Sequence, residues 1–158
     1  MGLIIGPTPW WQSNLVSACP VGTTLPDGST IICKAGGTAW FVAPNCTQVG
    51  SQWAGGQYNS TQVGDTCCIC EWPALNTRLL QCGFNPCDWF VPSSSQLNNP
   101  GYVCRTQWDT FASTRYWSST EINGANACFQ FFNSGLICSD SKTYTSCVRA
   151  FRCVTFEP

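Results

Sequence analysis

No histidine occurs anywhere in the 158 residues. Serine–histidine and cysteine–histidine nucleophile pairs are therefore excluded, and so is the usual catalytic zinc site with its imidazole ligands. Charge is also scarce: Asp, Glu, Lys and Arg together make up 9% of the chain, and the net charge is -1. The basic residues Lys34, Arg78, Arg105, Arg115, Lys142, Arg149 and Arg152 are scattered. A nucleic-acid partner needs clustered cations to displace counterions, and a polybasic membrane contact needs them too, so neither is expected. No apolar run reaches the length of a membrane span. The carboxylates Asp27, Asp65, Glu71, Asp88, Asp109, Glu121, Asp140 and Glu157 stand alone in the chain. None forms an evident acid/base pair by spacing, and no glycine-rich phosphate loop follows a strand. These absences predict a protein that is not an enzyme and holds no cofactor or metal.

What the chain has in abundance is cysteine. The thirteen are Cys19, Cys33, Cys46, Cys67, Cys68, Cys70, Cys82, Cys87, Cys104, Cys128, Cys138, Cys147 and Cys153. That load places a chain of this length at the edge of the disulfide-scaffold class, so all thirteen are disulfide candidates. An odd count leaves at least one thiol free, metal-bound or linked to another chain. Met1 to Pro7 offers no basic leader, a short apolar run and no cleavage site, so no secretory signal is read there. Cysteine richness without an export signal is reconciled if the protein is made in a reducing cytoplasm and released by lysis, as a virus particle is. A replaced leader, or thiols that stay reduced, are the alternatives.

Length predicts one domain with a short appendage: residues 1–36 as an N-terminal arm and hairpin, and 37–158 as the main domain. The arm, to about Ser17, carries Pro7, Pro9 and the pair Trp10-Trp11, which pack either on this domain or on a partner. Pro26-Asp27-Gly28 between Thr- and Ile-rich runs reads as a hairpin, with Cys19 and Cys33 near its ends as an expected pair. Thr38 to Ala43 reads as a buried strand, and Asn45 to Thr66 as loop with at most one helical turn. Trp72 to Gln81 is the best helix candidate: Pro73 suits a first position, Leu75, Leu79 and Leu80 are assigned one face, and Gly83 closes the end. Ser93 to Gln96 has capping-box spacing for a second helix that Pro100-Gly101 stops. From Arg115 to Val154, four aromatic, β-branched or cysteine-bearing runs separated by polar turns predict an antiparallel meander, with Gly135 supplying a positive φ.

Two constellations compete for function. Cys67-Cys68-Ile69-Cys70 with Cys82 and Cys87 has the spacing of a four-thiolate zinc site, but the further cysteines elsewhere favour reading them as disulfide partners. Among the eight tryptophans, Trp40, Trp89 and Trp117 sit in apolar runs and are expected in the core. Trp53 and Trp108 lie in polar surroundings and, with Tyr58, are the candidate binding residues.

The second half of the chain resembles a known family. Gly83-Phe84-Asn85-Pro86-Cys87-Asp88-Trp89-Phe90-Val91-Pro92 with Gln96-Leu97, then Tyr116-Trp117-Ser118-Ser119-Thr120-Glu121, then Phe132-Asn133-Ser134-Gly135 and Val148-Arg149-Ala150-Phe151-Arg152 carry the likeness, which spans about residues 38–155. In this order they resemble the C-type-lectin-like domains of bacterial surface adhesins and of short tailed-phage virion proteins. The resemblance implies an α+β fold, two short helices on a small twisted antiparallel sheet. The Trp-Asn-Asp and Glu-Pro-Asn signatures of calcium-dependent sugar binding are absent, so calcium and carbohydrate are not carried over. The implied function is a structural or binding component of a phage virion, a tail fibre or tip adhesin or a head decoration protein. Expected partners are other virion subunits or copies of itself through Trp10 and Trp11, and a host-surface receptor or glycan through Trp53, Tyr58 and Trp108. A secreted or cell-surface adhesin or matrix domain is the alternative, and a thiol-metal oxidase the third reading.

Overall fold

The computed structural model describes residues 15–56 and 69–156. Its elements are α1 (Leu15–Ala18), β1 (Thr30–Ala35), β2 (Thr38–Val42), β3 (Val49–Ser51), α2 (Pro73–Gln81), α3 (Ser94–Gln96), β4 (Arg115–Glu121), β5 (Asn126–Phe131), β6 (Ile137–Ser141), β7 (Ser146–Val148) and β8 (Phe151–Thr155). The chain is mixed α and β, with a three-stranded sheet in the order β1-β2-β8 and a five-stranded sheet in the order β3-β7-β4-β5-β6.

Local chemistry explains the helices. Pro73 starts α2, where its missing N–H costs nothing, and Gly83 ends it at φ +87, a conformation that suits glycine. The N–H of Phe84 then bonds Leu79 O at 2.9 Å and that of Gly83 bonds Leu80 O at 3.1 Å, satisfying the last carbonyls. Leu75 and Leu79 are fully buried, one above the other, but Leu80 is 58% exposed, because one further residue turns the side chain about 100° away. The expected three-leucine face is thus a two-leucine face. In α3 the Ser93 hydroxyl accepts from Gln96 N while Gln96 Oε1 accepts from Ser93 N, the predicted capping box.

The meander forms as far as β6. β4 pairs β5 and β5 pairs β6, both antiparallel, and Gly135 at φ +83 turns the second hairpin. The last apolar run behaves differently. Its first part, β7, inserts beside β4 in parallel, with Tyr116 opposite Cys147, and its second part, β8, crosses to pair β2. Arg149 and Ala150 make the step between sheets. Val49 to Ser51, expected as loop, is an edge strand on β7.

Thr24 and Thr30 form a bridge around the Pro26–Gly28 turn, so the expected N-terminal hairpin exists as a short local ladder. The larger partner of β1 is β2, which it meets across Gly36-Gly37. Residues 30–35 therefore share a sheet with 38–42. A bulge between Ile31 and Cys33 leaves Ile32 without an opposite residue. As a result Ile31 enters one core while Ile32 and Cys33 both lean on the other.

The described residues form two apolar cores, and both sheets contribute to each. The larger contains Trp53, Trp72, Leu75, Leu79, Trp89, Trp117 and Phe129; the smaller contains Leu97, Trp108, Tyr116, Phe132 and Phe151. Along β4, Tyr116 and Trp117 point to opposite faces and join different cores, as pleating requires. Among the described residues no helix is long and apolar enough to cross a membrane.

Candidate functional site

The two candidate binding tryptophans within the described residues are structural. Trp53 is fully buried. Its indole N–H donates to Ser118 O at 2.9 Å, its ring meets Trp72 edge-on at 5.7 Å, and Lys142 Nζ lies 4.6 Å from its centre. Trp108 is 5% exposed and sits among Phe111, Tyr116, Phe132 and Phe151, with ring centres 5.1–6.3 Å away. The expectation that Trp53 and Trp108 face a ligand is corrected. Their chain neighbours are polar, but their spatial neighbours are aromatic, and an indole gains more by burial than a flanking Gln or Asp loses. Trp117 and Trp89 are buried as expected, and Trp40 is half-buried against Phe90. Tyr58, Trp10 and Trp11 lie outside the described residues, as do Cys67 and Cys68.

Several charged groups are buried and paired. Arg149, at the step between β7 and β8, turns its side chain into the space between the sheets and is 1% exposed. Its Nε donates to Ala43 O at 2.7 Å, and Nη1 donates to Thr110 O at 2.8 Å and to Gln48 Oε1 at 3.0 Å. Nη2 pairs with Asp109 Oδ1, while Asp109 Oδ2 accepts from Asn45 N at 2.7 Å. Gln48 Oε1 also accepts from the Tyr116 hydroxyl at 2.5 Å, and that hydroxyl oxygen accepts from Ala112 N at 2.8 Å. One cation thus fastens the end of β2, the Asn45–Gln48 turn and the 109–112 loop. Burial holds the Arg149 pKa below its ordinary value against the pull of Asp109, and burial pushes the Tyr116 hydroxyl and the Cys147 thiol up. Such an arrangement braces the fold.

Lys142 and Glu121 form a second buried pair at 2.8 Å, with side chains 1% and 7% exposed. Glu121 Oε2 takes the ammonium, and Lys142 sits over Trp53. Arg115 and Asp140, at 3.2 Å, are more open. An indication of Arg149 was present in the sequence: in a chain this poor in charge, an arginine between Val148 and Ala150-Phe151 has to be buried with partners.

A groove of about 610 Å³ runs between α2 and β3, lined by Gln48, Gly50, Thr77, Arg78 and Gln81 among others. Among the described residues Arg78 is the one charged group in its lining, and its Nη1 is turned to Cys46 O at 3.3 Å. Among the described residues, no three His, Cys, Asp or Glu side chains gather as metal ligands would.

Cys19, Cys33, Cys46, Cys82, Cys87, Cys104, Cys138, Cys147 and Cys153 carry thiols. Two sets meet. The thiols of Cys46 and Cys82 lie side by side, and Cys82 Sγ donates to Cys46 O at 3.3 Å. The thiols of Cys33 and Cys104 form a second such contact. Cys33 therefore faces Cys104 in place of the expected Cys19, whose carbonyl instead accepts from Lys34. The bulge at Ile32 is the reason: it turns Cys33 toward the smaller core, where Cys104 packs. Of the zinc-spaced set, Cys82 is engaged with Cys46. Burial, and then the partner thiol, raise the pKa values of Cys46 and Cys104; burial alone raises that of Cys153. No known family model matches the sequence, and no curated protein matches it either.

Proposed function

We propose that the protein is a non-enzymatic structural or binding component of a tailed-phage virion, a tail fibre or tip adhesin or a head decoration protein. Its scaffold would be C-type-lectin-like, reinforced by disulfides once the particle leaves the reducing cytoplasm. The observation that carries the non-enzymatic reading is the use made of charge. Arg149, Asp109, Lys142 and Glu121 are spent on bracing loops and strands, with the guanidinium bonded to main chain and side chains on three segments. The scaffold reading draws support from where the resembling segments fall. Tyr116 to Thr120 lies in β4, between β5 and β7; Gln96-Leu97 closes the capped turn of α3; and Val148 to Arg152 spans the step between the two sheets.

Partners in this reading are other virion subunits or further copies, together with a host-surface receptor or glycan. Binding belongs on the loops, which vary without disturbing a core. The 109–114 loop is tied down through Asp109 and Thr110, so the freer candidate is the turn from Ile122 to Asn126, where Ile122 is 53% exposed. Quantitative mass spectrometry of gradient-purified particles is the test. A constant ratio to the major capsid protein through successive purification steps is expected. Loss of the protein during purification, with recovery on the bacterial surface, overturns the virion reading in favour of a cell-surface adhesin or matrix domain.

A further inference from the structure

We infer that Cys46 with Cys82, and Cys33 with Cys104, are two built disulfide sites, each closing when the folded protein meets a low-molecular-weight disulfide. The inference stands on the placement of the sulfurs and is independent of where the protein works.

Cys46 lies in the turn between β2 and β3, and Cys82 is the residue that ends α2, 36 positions later. The Cys46 carbonyl receives both Cys82 Sγ and Arg78 Nη1 at 3.3 Å, so the last turn of the helix is already docked on this residue. Cys33, placed by the bulge of β1, and Cys104, placed just before the Arg105–Gln107 turn, pack on the same core as Trp108 and Phe132. One bond would tie α2 to the connection between the two sheets, and the other would tie the smaller sheet to the segment that follows α3. Both close long loops, which is where cross-links restrict the unfolded chain most.

The chemistry balances without a metal. One protein thiolate displaces a thiolate from the small disulfide and forms a mixed disulfide. Its neighbour then attacks the protein sulfur of that bond and releases the second small thiolate. Two protein thiols lose two protons and two electrons, and one small disulfide becomes two small thiols. Because the thiolate is the attacking species and burial raises the pKa values of Cys46 and Cys104, closure quickens as the pH rises.

The test uses the full chain, reduced, transferred to oxidised glutathione, quenched with acid, alkylated and mapped by mass spectrometry without reduction. Linked peptides Cys46–Cys82 and Cys33–Cys104 should dominate. Cys82→Ser should leave Cys46 as a thiol or a glutathione mixed disulfide, linked to no other peptide, while the Cys33–Cys104 link persists, and Cys104→Ser should give the converse. Peptides joining Cys46 or Cys82 to any other cysteine, or persistence of all four as alkylated thiols, overturn the assignment of the first site; the same outcomes for Cys33 and Cys104 overturn the second. Since the wild-type map alone decides the pairing, a poorly folding serine variant does not blunt the test.

Discussion

Replacing Arg149 by Met keeps the aliphatic stem and removes the charge, every donor and the guanidinium that lies 5.3 Å from the Trp108 ring centre. The substitution leaves Ala43 O, Thr110 O, Gln48 Oε1 and the Asp109 carboxylate without their cation. Breaking a buried pair by removing one partner costs about 3–5 kcal/mol, mostly from the polar groups left behind. Asp109 is 29% exposed and can be rehydrated in place, so the lower end, about 3 kcal/mol, is expected. For a chain of this size that corresponds to a fall in Tm of roughly 6–12 °C. Arg115→Met is the internal control. Its pair with Asp140 has side chains 23% and 34% exposed, and such surface pairs are worth about 0–1 kcal/mol. Urea unfolding in reducing buffer, with thermal scans beside it, measures both variants against the parent. If Arg149→Met costs no more than the Arg115→Met control, the cation is not the brace described above.

Trp53→Ala should destabilise by about 3–5 kcal/mol, because it empties a core site and strips the ring from under Lys142. A variant of near-parent stability with weakened attachment to a ligand would restore the surface role that its burial denies. Gly135→Ala combines a φ of +83 with a Cβ only 2.7 Å from Tyr102 Cε2, so about 2 kcal/mol or more should be lost. At Gly36, with φ +59 and open space around a Cβ, the same change should cost about 1 kcal/mol; equal losses at the two positions would deny the Tyr102 clash. Cys46, Cys104, Cys147, Cys153 and Tyr116 all have folded pKa values raised by burial, so the unfolded chain ionises first. Their stabilisation is complete below the ordinary thiol value of 9.0 and is lost as the pH rises through the folded values. In reductant, urea midpoints should therefore fall between about pH 8 and about pH 11, and a flat or rising profile contradicts this.

Elements whose signals are local were readable in the chain. Pro73 and Gly83 bracket α2, Ser93 and Gln96 close a box on α3, and Gly135 turns the β5–β6 hairpin, each through groups within a few residues of one another. What escaped depends on partners far away in sequence. Val49-Gly50-Ser51 has no period of its own and becomes a strand only because β7 supplies its ladder. The run from Cys147 to Val154 looks continuous, yet it divides at Arg149-Ala150 because two different sheets claim its halves. The polar chain neighbours of Trp53 and Trp108 do not describe their surroundings, since Trp72, Ser118, Phe132 and Phe151 reach them from elsewhere. Cys33 met Cys104 instead of Cys19 because a single bulged residue shifted its direction.

The order β1-β2-β8 also sets how the fold answers a pull. β1 and β8 both run antiparallel to β2, on its two sides. Thr30, where the chain enters β1, is opposite Val42; Thr155, where it leaves β8, is opposite Thr38 at the other end of β2. Tension applied at Thr30 and Thr155 therefore slides the three strands along one another, and every ladder hydrogen bond bears load at once. The opposite arrangement, with both points at the same end, would unzip them one at a time. The larger sheet, α2 and α3 lie in the connection between β2 and β8, so their chain is not drawn straight until the β2–β8 ladder gives way.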